Sequence, residues 1–274
     1  MAGATAMPEA DPAAEAAGAW AGPDPALLPL LYLAGQTLPV GGFAWSQGLE
    51  SAVELGLVRD AAGLGRWLKG VLRYGLARND LPLLLRLHRA ALAGDAAGLA
   101  FWNDRVLAGR ESAELWQEEA QMGRALRRLL TDTGLLPSGC PPARDTPAPL
   151  RVWPPLVALP EETGYTACFA VAAALLQVRA AGAFPRPERA ARWGRNAACA
   201  YAWSWLQNQT AVACKTVPLG QTAAQKTLLE FLPLLPQEAA RAAALDDAAV
   251  GASLPGLALC SAAHERQYSR LFRS

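Results

Sequence analysis

Strand-like alternation is nearly absent from this chain, and so are lysine, histidine and any close pairing of cysteines. Each shortage excludes something. Only His88 and His264 are histidines, far apart and away from any clustered cysteine, so no ligand set at metal-site spacing is present and no dedicated metal site is expected. Cys140, Cys168, Cys199, Cys214 and Cys260 form no C-x-x-C pair and are odd in number, the usage of buried thiols in a reducing compartment. A phosphate-cradling G-x-x-x-x-G-K-[ST] loop is missing; Lys215-Thr216 follows Cys214 instead. A hydrolase elbow would need glycine where Ala44 stands and a strand before it, so Ser46 reads as a helix cap. Glu118 and Glu119, like Asp246 and Asp247, are sequence neighbours and diverge on a helix. No catalyst emerges, and the chain does not read as an enzyme.

Charge and hydropathy narrow the class further. A net charge of +1, with Lys69, Lys215 and Lys226 the only lysines, gives no basic footprint for nucleic acid. The two most apolar runs, residues 165–181 and 197–214, are broken by Gln177 and Arg179 and by Ser204, Gln207, Asn208 and Gln209. Neither supplies the roughly 20 apolar residues of a membrane span. The first 25 residues carry Glu9, Asp11, Glu15 and Asp24 without a Lys or Arg, which is the wrong charge for a secretory signal. We read residues 1–25 as a disordered acidic segment and the protein as cytoplasmic.

What is there is helical periodicity. Helices are expected over residues 25–37, 46–55, 60–76, 80–94, 95–109, 112–130, 164–181, 187–217, 221–232 and 236–247, with a last one beginning at 255. Asp60 and Asp80 are placed as N-caps, the latter with Pro82 in the first turn. In the helix from Ser112, Leu115, Met122, Leu126 and Leu129 form the apolar face. Its early glutamates (Glu114, Glu118, Glu119) and late arginines (Arg124, Arg127, Arg128) suit the helix dipole and read as a solvated face. The almost wholly apolar run 164–181 belongs at the centre of a bundle. Residues 137–160, with eight prolines, read as an extended loop rather than a domain linker. The implied fold is all-α: one domain, 26–274, of about ten helices in a bundle.

Three motifs carry shape in place of chemistry. In Leu38-Pro-Val-Gly-Gly-Phe-Ala-Trp-Ser-Gln-Gly-Leu-Glu50, Gly41 and Gly42 free the backbone to aim Phe43 and Trp45 off the helix path. At Lys215-Thr-Val-Pro-Leu-Gly-Gln221 a long helix stops. There Lys215 can bond the last carbonyls or meet a partner's carboxylate. The terminal His264-Glu-Arg-Gln-Tyr-Ser-Arg-Leu-Phe-Arg-Ser274 sets three arginines against one glutamate, with Tyr268, Leu271 and Phe272 between them. A terminus ordinarily frays, but arginine interleaved with aromatics is also the composition of an interface hot spot.

These motifs, in this order and joined by Trp102-Asn-Asp, Arg110-Glu, Glu114-Leu and Gln121-Met-Gly-Arg, resemble the urease accessory protein family UreF from about Leu30 to the last residue. The resemblance implies an all-α homodimer that catalyses nothing alone and needs no cofactor. Its implied partners are the accessory protein UreD (also called UreH), the nickel GTPase UreG and apo-urease, into which nickel is delivered. By motif position it implies partner contacts at Gly41, Gly42, Phe43 and Glu50, at Lys215 and Gln221, and at Glu265, Tyr268, Arg270 and Arg273. Arg270 would lock the tail on UreD, and Lys215 would lie on the surface that meets the GTPase. Trp45 departs from the Tyr or His usual in the family, and residues 137–160 are longer and richer in proline. Two readings compete: a helical regulatory module for another GTPase, and a helical enzyme assembling Glu50, Lys215 or His264 in space.

Overall fold

The computed structural model describes residues 24–136 and 159–273. The acidic segment 1–23 and most of the proline-rich stretch lie outside the described residues, as does Cys140. Among the described residues there are eleven α-helices and no strand.

In chain order these are α1 (Leu27–Leu33), α2 (Leu49–Glu54), α3 (Ala61–Gly70), α4 (Asp80–Ala93), α5 (Ala96–Ala108), α6 (Ala113–Asp132), α7 (Tyr165–Ala181), α8 (Pro187–Thr216), α9 (Gln221–Phe231), α10 (Leu234–Ala243) and α11 (Pro255–His264). Helix α7 is the axis of the bundle, surrounded by α1, α4, α5, α6 and α8. Its alanines let the neighbours come close, and nearly every residue from Tyr165 to Val178 is buried. The closest approach is at Gly123 of α6, where a Cβ would lie 2.1 Å from the Thr163 carbonyl oxygen. Inside the bundle the neutral ring of His88 donates through Nε2 to Gln177 Oε1 at 2.7 Å, while Gln177 donates to the Trp193 carbonyl. Burial, opposed by that bond, lowers the His88 ring to about 4, so this histidine is a satisfied core residue.

Asp60 caps its helix through a side-chain oxygen as expected, and Asp95 and Ser112, expected only as helix starts, cap theirs in the same way. Two caps fall elsewhere. Ser46 is buried, and α2 starts only at Leu49 behind Gly48, whose φ of +75° suits glycine alone. Asp80 is the first residue of α4 rather than its cap, because its carboxylate is drawn to Arg110 at 2.6 Å. The stripe expected over 60–76 is α3 followed by a π-turn, Val71–Leu76, closed by an Ala77 N–H to Leu72 carbonyl bond. Helix α10 begins two residues before the expected start, with Pro236 in its first turn, and ends before Asp247. Among the described residues no helix is long and apolar enough to cross a membrane.

Candidate functional site

The three motifs, separated by up to about two hundred residues, meet on one surface. Gly41, with φ +78°, turns the chain into a 3-10 turn, Gly42–Ala44. That turn splits its two aromatics: Phe43 is 72% exposed, whereas Trp45 is buried. The Ala44 carbonyl then accepts a hydrogen bond from the Arg273 N–H at 2.8 Å, so the end of the chain lies against this turn.

Glu50 supplies the main grip. It sits in the first turn of α2, where the exposed N–H groups favour a carboxylate. Its Oε1 accepts from the Leu271 N–H at 2.7 Å, and its Oε2 accepts from the Phe272 N–H at 3.1 Å. Oε2 is also 3.0 Å from His264 Nε2. The other ring nitrogen, Nδ1, faces both oxygens of Glu114 at 3.1 Å, and Arg270 reaches the same carboxylate at 3.3 Å. His264 is fully buried and both glutamates nearly so. Phe272 is buried beneath Lys215, whose Nζ lies 5.3 Å from the ring centroid. Arg273 donates to Gln121 at 3.2 Å.

The energies of this docking nearly cancel. Burying Phe272 contributes about 2–3 kcal/mol, and each hydrogen bond to the Glu50 carboxylate about 1.5–3 kcal/mol. Fixing the backbone costs about 1–2 kcal/mol per residue. Over the few residues involved the two sides match within a few kcal/mol, so the docked tail depends on each of its bonds. Tyr268 and Leu271, by contrast, stand out in solvent, and Glu265 is exposed. Gln221 is exposed at the first residue of α9, apart from the tail.

Beneath the same turn lies a cavity of about 370 Å³ whose lining includes Gln47, Arg110, Glu118, Glu119, Tyr165 and Trp205. Here the reading of the α6 glutamates as a solvated face is overturned. Glu114, Glu118 and Glu119 are all buried, while Leu115 and Leu129, placed on the apolar face, are only half-buried. The buried stripe runs Glu114, Glu118, Met122, Leu126, Leu130, a four-residue step that was visible in the sequence. These carboxylates are tolerated because most find partners. Glu119 pairs with Arg110 at 2.8 Å and accepts the Thr166 N–H at 2.7 Å. Glu118 accepts from Gln47 Nε2 at 2.8 Å, and Gln47 in turn accepts from Trp205 at 2.7 Å. Gln47 is held at φ +53°, unusual for a residue with a side chain. Burial, outweighing the Gln47 bond, pushes the Glu118 carboxyl up to about 8. Among the described residues no three His, Cys, Asp or Glu side chains are grouped to hold a metal ion.

The surface is therefore built to seat a peptide segment through backbone and side-chain contacts. The UreF family model matches residues 58–184 and 190–232, the span from just before α3 through α9. The urease accessory protein UreF of Chromohalobacter salexigens is 48% identical over 249 residues, covering 91% of this chain and 95% of that protein. This chain belongs to the UreF family. UreF proteins of Psychrobacter cryohalolentis (48% identity, 92% of this chain and 95% of the relative) and Marinobacter nauticus (45%, 92% and 96%) are similar over the same extent. The family resemblance read from the three motifs thus holds over most of the chain, and with it a general role in urease maturation.

Proposed function

We propose that this chain matures urease as a scaffold. It holds UreD and the GTPase UreG in one complex with apo-urease, so that GTP turnover is coupled to nickel insertion, and it carries out no reaction itself. It acts in the cytoplasm as a homodimer. The observation that carries this reading is the convergence of the Gly-Gly turn, Lys215 and the tail on a single surface. On it, Glu265, Tyr268, Arg270 and Arg273 face UreD. Gly41, Gly42, Phe43, Lys215 and Gln221 face the GTPase or the second protomer, while Glu50 holds the tail from below. A scaffold can change the GTPase only by binding its nucleotide states with different affinity. The test is coexpression of urease with all its helper proteins, with and without this chain, at ordinary nickel concentration. Loss of urease activity on omission supports the proposal. Full nickel-dependent activity without the chain rejects it.

A further inference from the structure

We infer that Glu50, His264 and Glu114 form a proton-dependent latch, in which an imidazolium ring donating from both nitrogens holds the C-terminal tail in its docked position. The hydrogen-bond inventory leads there. Glu50 already accepts the Leu271 and Phe272 N–H groups and Glu114 accepts from Arg270, so both carboxylates act as acceptors. Each ring nitrogen of His264 faces one of them, at 3.0 and 3.1 Å, with the ring fully buried. A neutral imidazole has one N–H. With Glu114 ionised, as Arg270 on its Oε1 favours against the burial that raises its carboxyl, a neutral ring would set a nitrogen lone pair against a carboxylate oxygen on one side, away from water. A doubly protonated ring satisfies both contacts with charge-assisted bonds.

The helix ends agree with this assignment. Glu50 and Glu114 lie in the first turns of α2 and α6, where carboxylates are favoured, and His264 is the last residue of α11, where a cation is favoured. The charged groups facing the trio are Arg270 from the tail and Glu265 beside the ring. With the ring protonated, the cations Arg270 and His264 offset Glu50 and Glu114. Loss of the ring proton leaves two buried carboxylates with only half-exposed Arg270 beside them. That raises the cost of the docked state, so the latch closes towards acid and opens as pH rises. His264 and Glu114 are accordingly positioning residues: they set where Arg270 and Tyr268 stand without meeting a partner themselves. That consequence rests on the reading of the tail as the UreD-binding element; the latch does not.

The test uses the full chain alone. Amide exchange at Leu271 and Phe272 is followed from about pH 6 to about pH 9, corrected for the intrinsic pH dependence of exchange, with the His264 ring nitrogens observed by NMR. The latch predicts two N–H signals on the ring while the tail is protected, and protection falling about tenfold or more as the ring loses its proton. His264→Gln, which can donate to only one carboxylate, should lower the protection similarly and make it independent of pH. A ring with one N–H while the tail stays protected would overturn the inference, as would protection unchanged across the range. If the variant fails to fold, the wild-type titration decides alone. Binding to immobilised UreD separates the two claims. Should removal of residues 268–274 leave UreD binding intact while the latch titrates as described, the partner reading fails and the latch stands.

Discussion

Replacing Glu118 with glutamine should stabilise the protein at alkaline pH and not at acid pH. The carboxyl is buried, and its Oε2 has no hydrogen-bond partner. Arg110, the nearest cation, is already committed to Asp80 and Glu119. Folding therefore raises this group from 4.5 to about 8, and the native state holds a proton that the unfolded chain releases. The sign follows. The native state suffers no penalty below about pH 4.5, loses stability as pH rises towards about 8, and stays flat above. At about 1.4 kcal/mol per pH unit the full effect has a ceiling of about 5 kcal/mol. The glutamine carbonyl can accept from Gln47 as Glu118 Oε1 does, but its amide places a donor where Oε2 has no partner, at a cost of about 1–3 kcal/mol. The net expectation is a gain of about 2–4 kcal/mol near pH 9 and a loss of about 1–3 kcal/mol near pH 4.5. Urea unfolding at both pH values, read by far-UV circular dichroism, measures the two differences. A variant–wild-type difference that is the same at both would refute the reasoning.

Two further substitutions probe what holds the frame around the site. Gly123→Ala puts a methyl group 2.1 Å from the Thr163 carbonyl and 2.8 Å from the Gly164 carbonyl carbon. Because both obstacles are backbone, α6 and the entry to α7 must separate, and a fall in thermal stability of about 3 kcal/mol or more is expected by calorimetry. Arg110→Ala leaves the Asp80 and Glu119 carboxylates buried without their cation. It should destabilise by about 3–5 kcal/mol in urea unfolding, with part of the loss recovered by the double substitution Asp80→Asn, Glu119→Gln.

How much of this was legible in the sequence depended on how local the cause was. The cap at Asp60 and the helix starts at Asp95 and Ser112 were read from spacing, because each rests on a side chain and an amide three residues away. Helix α7 announced itself by lacking a polar face, and α8 by Pro187 at its start and Pro218 beyond its end. The errors came where a distant partner outbid a local one. Asp80 left the cap position for Arg110, thirty residues on. The α6 glutamates looked solvated because their partners Gln47, Arg110 and His264 lie on other elements. His264 and Glu50 are 214 residues apart, and no periodicity links them. One clue was available. Glu114 and Glu118 share the four-residue step of Met122, Leu126 and Leu130, so an apolar stripe that starts with carboxylates marks an ionic site continuous with the core. The motifs themselves were conspicuous in sequence, while their meeting point was not.

The central claim, that the folded-back tail is the surface through which this UreF-family chain engages UreD, is tested most directly by co-purification. The full chain and a form ending at Gln267 would each be coexpressed with UreD, and the helical content of both measured by circular dichroism. The account predicts a folded but UreD-free truncated protein, because Arg270, Phe272 and Arg273 lie at the terminus and touch the bundle only through the tail contacts. Recovery of the truncated chain with undiminished UreD would contradict it.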